Sequence, residues 1–335
     1  MRNCYLFGVA FAARTRLNAH ESFSIMSKWV FKTALQRAIS WLPQSHKFNA
    51  LFQQYVTKGL HVKPASFETK VDNCRMHFEH YRKFSANPSQ SIKVVELGTG
   101  WWPIIPVGLY LCGVEEIWTY DIAPLLRRDT FARILQFFVA YEQDGRLQKM
   151  LPAARPERLA QLAGLLARAE REDPKALLES LNIHPMVRDA RHTELPAGSI
   201  DLVYSNFCLE HIPASVQAEL YAEFKRVSGH DSVMSHYIGI GDQYANFDDS
   251  ISMFNYMKYT SKQWRFLNNP IIPQTRLRAG DYRNVIESSG FTVFLQRNIN
   301  GAKEDLQKIK LAPEFQHYSE QDLLANFAWL VAGPR

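Results

Sequence analysis

The sequence predicts an α/β fold, an open and mostly parallel sheet with helices on both faces. Three observations carry this expectation. From Ile92 onward the pattern changes from apolar residues at helical spacing to short apolar runs that alternate with amphipathic stretches. The first of these, "IKVVEL", "PIIPVGLYLCG" and "EEIWTYD", make a strand–helix–strand unit from Ile92 to Asp121, close to the ~30 residues of a βαβ unit. Finally, the glycine turn "ELGTG" ends the first strand, where open parallel sheets hold their ligands.

Taken in order, the elements begin with a start, "MRNCYLFGVAFAARTR", that has one Arg before a short apolar run and resembles a weak signal peptide. Met26 opens a cleaner stretch, "MSKWVFKTALQRAISWL", so residues 1–25 read as a disordered arm or an upstream extension. Residues 26–88 read as a helical cap of three helices, broken at "WLPQS" and "HVKPAS". Its apolar residues include Trp29, Leu35, Trp41, Phe52 and Tyr55, and faces this wide need a partner surface. The expected partner is the functional edge of the sheet, which makes Lys28 to Phe84 a lid.

Residues 89–335 form the α/β domain. After the first unit comes a helical insertion at 125–182, with amphipathic spacing in "RLAQLAGLLARAER". Strands follow at about His184–Val187, Ser199–Asn206 and Ser232–Ile240, the last two separated by the helix "SVQAELYAEFKRVS". The helix "AGDYRNVIESSGF" ends at Gly290, and the strands "FTVFLQR" and "ANFAWLVAG" close the chain.

The composition is that of a globular chain, 13% aromatic and 21% charged. A net charge of +6 raises the question of nucleic acid, but the basic residues are scattered, with only short groups such as Arg127-Arg128. That distribution argues against it. Cys4, Cys74, Cys112 and Cys208 stand far apart, without CxxC or a histidine at metal-ligand spacing, and read as thiols of a reducing compartment. No metal is expected. The apolar run near the start is far below the ~20 residues that span a bilayer. The cytoplasm is the expected location, and the residues leave the oligomeric state open.

Gly98 and Gly100 let the backbone turn tightly and approach a ligand, although a GxG alone is equally an ordinary strand-to-helix turn. Asp121, ending the second strand, is placed to accept both hydroxyls of a ribose, or else caps a helix. Two features disfavour a nicotinamide dinucleotide. Trp102 and Pro103 fill the place where a pyrophosphate needs bare backbone, and Glu96 would repel phosphate while attracting a cation. A ligand with ribose, adenine and a positive charge but no phosphate is S-adenosylmethionine.

The segments "VVELGTG", "YDIAP", "VRDARHTELPAGSIDLVYSNFCLEHIP" and "ELYAEFKRVSGHDSVMSHYI" together resemble the class I S-adenosylmethionine-dependent methyltransferases, over about two-thirds of the chain. The resemblance implies a Rossmann-like seven-stranded sheet whose last hairpin is reversed. It implies that Glu96, Gly98 and Gly100 line the methionine end of the cofactor, that Asp121 holds the ribose, and that Asp189 with Ala190 meets the adenine. Ser205 and Asn206 would face the amino-acid part. The chain departs from the family at Trp101-Trp102, where a looser turn is usual. Trp102 is either a cation–π neighbour of the sulfonium or a packing residue. "SGHDS" also replaces the usual glycine turn before the fifth strand.

Candidate catalytic residues are His211 in "LEHIP", as a general base or a helix-start residue, and Asp242 with Tyr244 in "GIGDQYANFDD", as functional groups or loop caps. His236 reads as a core histidine. "MFNYMKYTSKQWRFL" is either lid or core. The leading expectation is methyl transfer to a small-molecule acceptor. The alternatives are a relative that attacks the aminocarboxypropyl chain, like the azetidine-2-carboxylate synthases that release methylthioadenosine, and a non-catalytic cofactor-binding protein.

Overall fold

The computed structural model describes residues 29–30, 33, 62–268 and 273–334. The expectations for residues 1–25, and for the first two cap helices apart from Trp29, Val30 and Thr33, lie outside the described residues.

Seven strands form one sheet in the order β3-β2-β1-β4-β5-β7-β6. They are β1 (Lys93–Leu97), β2 (Glu116–Asp121), β3 (Ile183–Val187), β4 (Ile200–Asn206), β5 (Ser228–Gly239), β6 (Phe291–Asn300) and β7 (Ala325–Pro334). β1 to β5 pair in parallel, and β7 runs antiparallel between β5 and β6. The chain therefore switches direction of winding between β1 and β4, the place where an open α/β sheet leaves a crevice. The expected sheet with its reversed final hairpin is what the structure has.

The main helices are α1 (Pro64–Phe84), α2 (Ile104–Leu111), α3 (Arg128–Gln143), α4 (Leu162–Ala169), α5 (Ala214–Val227) and α6 (Ala279–Ser288). On one face, Val94, Leu202, Tyr204 and Val233 of the sheet pack with α1, α2, α3 and α4. On the other, Val95, Leu97, Val203 and Met234 pack with α5 and α6. The alternation follows from the two-residue period of strand side chains.

Two expectations need correction, and a third holds. α1 is an integral layer of the sheet's face, not part of a separate cap: Phe67, Val71 and Cys74 are fully buried in the same core as α2 and β1. Residue 88 is thus no boundary in the packing, and only the first turns of α1 reach the functional edge. The helical insertion is present as expected, as α3 followed by short helices, interrupted where Gly145 adopts φ +73° and where Pro156 and Pro174 each begin a new helix. Residues 228–232, expected as a turn, are the first part of β5; the added length is absorbed by a register shift against β4 between Ile200 and Leu202.

A third cluster, built from Tyr244, Phe254, Tyr256, Met257, Trp264 and Phe315, packs the segments after β5 and β6 together. The buried part of "MFNYMKYTSKQWRFL", residues 254–257 and Trp264, is therefore core, while Phe266 is exposed. Trp29 is buried against this cluster, its indole 5.5 Å from Tyr244 and 6.0 Å from Tyr259, and its backbone N–H donates to Asp248 at 3.0 Å.

Candidate active site

β1 ends in a turn that only glycine fits. Gly98 has φ +80°, and a Cβ there would lie 2.4 Å from the Cys208 sulfur. Gly100 has φ +65°, with nothing within 4 Å of where its Cβ would stand, so its backbone is open to a ligand. The Gly100 N–H donates to Asp121 Oδ2 at 3.0 Å, tying the end of β1 to the end of β2. The other Asp121 oxygen accepts the Ala123 N–H at 3.1 Å. Each oxygen keeps an unused lone pair for a ribose hydroxyl. Ile122, next in the chain, is 81% exposed and offers an apolar wall beside this acid that the sequence reading did not single out.

Glu96 is buried on the α1 face of β1, and its Oε2 has no hydrogen-bond partner among the described residues. Burial lifts its carboxyl to about 7, while the hydroxyls of Tyr204 and Thr99 and the charge of Lys70 pull the other way. An unpartnered buried carboxyl at this edge suits a cationic ligand. Asn206 also faces α1: its Oδ1 accepts from Asn73 Nδ2 at 2.9 Å, and its own Nδ2 is unpartnered. The residues Gly98, Gly100, Asp121, Glu96 and Asn206 therefore fit S-adenosylmethionine in their donors, acceptors and backbone access.

Ser205 does not share that site. It points to the opposite face, where its hydroxyl pairs with His236 Nδ1 at 2.8 Å, and it is fully buried. Neighbouring strand residues face opposite sides, so Ser205 and Asn206 cannot both meet one ligand. His236, as expected, is a packed core histidine. Asp189 lies in the loop after β3, but Arg191 holds its Oδ2 through Nε at 2.9 Å and Nη2 at 2.6 Å, which keeps the acid below the usual carboxylate range. Ala190 beside it is buried.

The three catalytic candidates are consumed by local structure. His211 Nδ1 donates to the Pro273 carbonyl at 2.9 Å, and its Nε2 faces the Gln243 amide at 3.2 Å, so neither nitrogen is left free for a substrate. Asp242 is fully buried; it caps the following turn through the Tyr244 N–H at 2.9 Å and accepts from Asn255 Nδ2 at 2.9 Å. Tyr244 is a core residue whose hydroxyl donates to the Leu267 carbonyl at 3.2 Å.

The cavity next to these residues is lined by others. A space of about 260 Å³ lies between the first turns of α1 (Ser66, Thr69, Lys70), Trp102, Phe207 and Glu210 after β4, Gly239 and Met253 near β5, and Phe327 of β7. Trp102 packs in part against the core, one of the two roles considered, and in part lines this space. Glu210 is 1% exposed. Its Oε1 accepts the Gly239 N–H at 3.3 Å, its Oε2 is unpartnered, and burial lifts it to about 8. Burial lowers the Lys70 ammonium, against the pull of Glu96 and Glu210. Sequence reasoning missed both residues. Glu210 was within view, one residue before His211. Lys70 gave no signal, because only tertiary packing brings α1 to the end of β4.

A family model described as "Methyltransferase domain" matches residues 160–234, from α4 into β5. No curated protein matches the chain. Among solved structures, a Pyrococcus horikoshii protein is similar at 11% identity over 86% of this chain and 99% of its own, with a TM-score of 0.45. An S-adenosylmethionine-dependent methyltransferase from Mesorhizobium loti is similar at 14% identity over 77% of this chain and 97% of its own, with a TM-score of 0.40. The 4+2 cyclase SpnF is similar at 10% identity over 78% of this chain and 81% of its own, with a TM-score of 0.41. The sheet order and the methyltransferase-domain match over residues 160–234 together show a Rossmann-like, methyltransferase-type fold.

Proposed function

We propose that this chain transfers the methyl group of S-adenosylmethionine to a small-molecule acceptor held in the cavity between Lys70, Trp102, Phe207 and Glu210. The observation that carries this is the buried Glu210 carboxyl, whose Oε2 is unpartnered, in a space also lined by Trp102, two residues after the glycine turn of β1. At 260 Å³ the space is below the roughly 300–1,000 Å³ of pockets for drug-sized ligands, which supports a small acceptor.

When bound, the cofactor supplies an electrophilic methyl group on a sulfonium. The chain's task is then to position a nucleophile in line with that methyl, keep water out and accept a proton. The Gly98–Gly100 turn and Asp121 would hold the nucleoside, with Ile122 against the adenine and the loop of Asp189 and Ala190 at its far side. Glu96 and Asn206 would face the methionine end. Trp102, Phe207 and Phe327 wall the cavity against water. A carboxyl near 8 is matched to proton exchange at neutral pH, which supports Glu210 as the general base.

The cytoplasm fits the described cysteines, which are free thiols in packed surroundings. Among the described residues no helix is long and apolar enough to cross a membrane. The experiment is calorimetric titration of the purified chain with S-adenosylmethionine, followed by product analysis with and without candidate acceptors. Acceptor-dependent S-adenosylhomocysteine supports the proposal. Methylthioadenosine from the cofactor alone would replace it with the cyclase reaction.

A further inference from the structure

α1 turns a polar stripe toward the sheet: Lys70, Asn73, His77 and His80 follow one another at helical spacing. Three of these have partners. Asn73 donates to Asn206, and His77 and His80 each meet the Ser235 hydroxyl at 2.9 Å. Lys70, at the cavity end of the stripe, has no hydrogen bond or ion pair among the described residues. It is close enough to feel Glu96 and Glu210, yet neither carboxylate is within 4.0 Å of its ammonium. The cavity thus holds a cation and a half-satisfied carboxyl facing a common space, with an apolar wall of Trp102, Phe207, Met253 and Phe327 between and around them.

A cation without a partner and a buried carboxyl with one unmet oxygen are both costly, and a ligand that pairs both recovers that cost. Resting on the methyl-transfer function proposed above, we infer that the acceptor is a zwitterion of the amino-acid type, with its carboxylate on Lys70 and its amine on Glu210. The amine is then the methylated atom. Glu210, as carboxylate, takes one proton from the acceptor ammonium. The freed nitrogen lone pair forms the bond to the methyl carbon, the carbon–sulfur bond breaks, and its electron pair stays on sulfur as the neutral thioether. The product is the N-methyl ammonium, and the Glu210 proton passes to solvent. A carboxylate-free amine leaves Lys70 unpaired, and an amide-blocked acid leaves it facing a neutral group.

The test uses the full chain, S-adenosylmethionine, and a panel of free L-amino acids, each beside its decarboxylated amine and its amino amide, with N-methyl products read by mass spectrometry. Turnover is expected for one or more free amino acids, with kcat/KM at least about 30-fold lower for the matching amine and amide. Lys70→Met should raise the acceptor KM at least tenfold with the cofactor's Kd unchanged, and Lys70→Arg should restore part of the loss. Glu210→Gln should lower kcat while both ligands still bind. If Lys70→Met instead weakens the cofactor, Lys70 holds the methionine carboxylate and the inference is overturned. It is also overturned if amines without a carboxylate react as well as their amino acids, or if no amino acid reacts. Failure to bind S-adenosylmethionine at all would defeat the methyl-transfer function itself, which the titration shows separately.

Discussion

The backbone N–H of Gly100 donates to the carboxylate of Asp121 at 3.0 Å, so the turn after β1 and the acid ending β2 are one unit. Replacing Asp121 therefore removes a ligand group and releases the turn. Asp121→Ala should weaken S-adenosylmethionine by one or two charge-assisted hydrogen bonds, each about 1.5–3 kcal/mol. Calorimetry on the folded variant checks this, and unchanged affinity would refute the ribose assignment. Asp189→Ala should cost less, because Arg191 already engages that carboxylate.

Ser205 and Asn206 should separate cleanly. Ser205→Ala leaves the buried His236 Nδ1 without its hydroxyl, which should cost about 1–3 kcal/mol of stability and leave cofactor affinity intact. Asn206→Ala should weaken the cofactor. Urea unfolding and calorimetry, run on both variants, measure the two effects. A drop in affinity for Ser205→Ala would mean that it reaches the site.

The α1 helix should behave as core. Phe67 is fully buried, with its ring 5.3 Å from Phe137, 4.9 Å from Phe138 and 5.1 Å from Tyr141. Phe67→Ala should cost about 3–5 kcal/mol in chemical unfolding. A loss under about 1 kcal/mol would show that the helix is a detachable cap after all.

Stability should fall as pH rises from about 7 to 8. Burial raises Glu96 to about 7 and Glu210 to about 8, above the ~4.3 of an unfolded glutamate. Between these limits the folded state holds more protons than the unfolded one, so the slope of stability against pH is negative. The buried His77, His80 and His236 and the half-buried His211 are lowered instead, by burial first, and they add a positive slope that is large up to about 6.5 and fades through 7. Above about 7 the carboxyls outweigh them. Unfolding free energies at pH 7 and 8 check the sign, and Glu210→Gln should flatten the decline. A rise over this range would contradict the burial of these acids.

Much of the fold was legible because the inner strands are short apolar runs, and β1 and β2 end at a glycine turn and an acid. Gly98, Gly100 and Asp121 were legible for the same reason: the ends of parallel strands share one edge. Ser205 was misplaced because a motif names neighbours, while a strand turns them to opposite faces. His211, Asp242 and Tyr244 do lie near the functional edge, but local capping and packing use their polar atoms, and such bonds are invisible in spacing. The proposed chemistry falls instead on Glu210, next to a candidate that was considered, and on Lys70, which only the docking of α1 beside β4 brings into place.

The central claim is that the methyl group leaves the cofactor for a second molecule. Supplying the full chain with S-adenosylmethionine labelled with carbon-13 in the methyl group, together with the amino-acid panel, tests it most directly. The account predicts the label on the acceptor nitrogen and unlabelled S-adenosylhomocysteine in equal amount. Label retained in methylthioadenosine, formed without any acceptor, would contradict it.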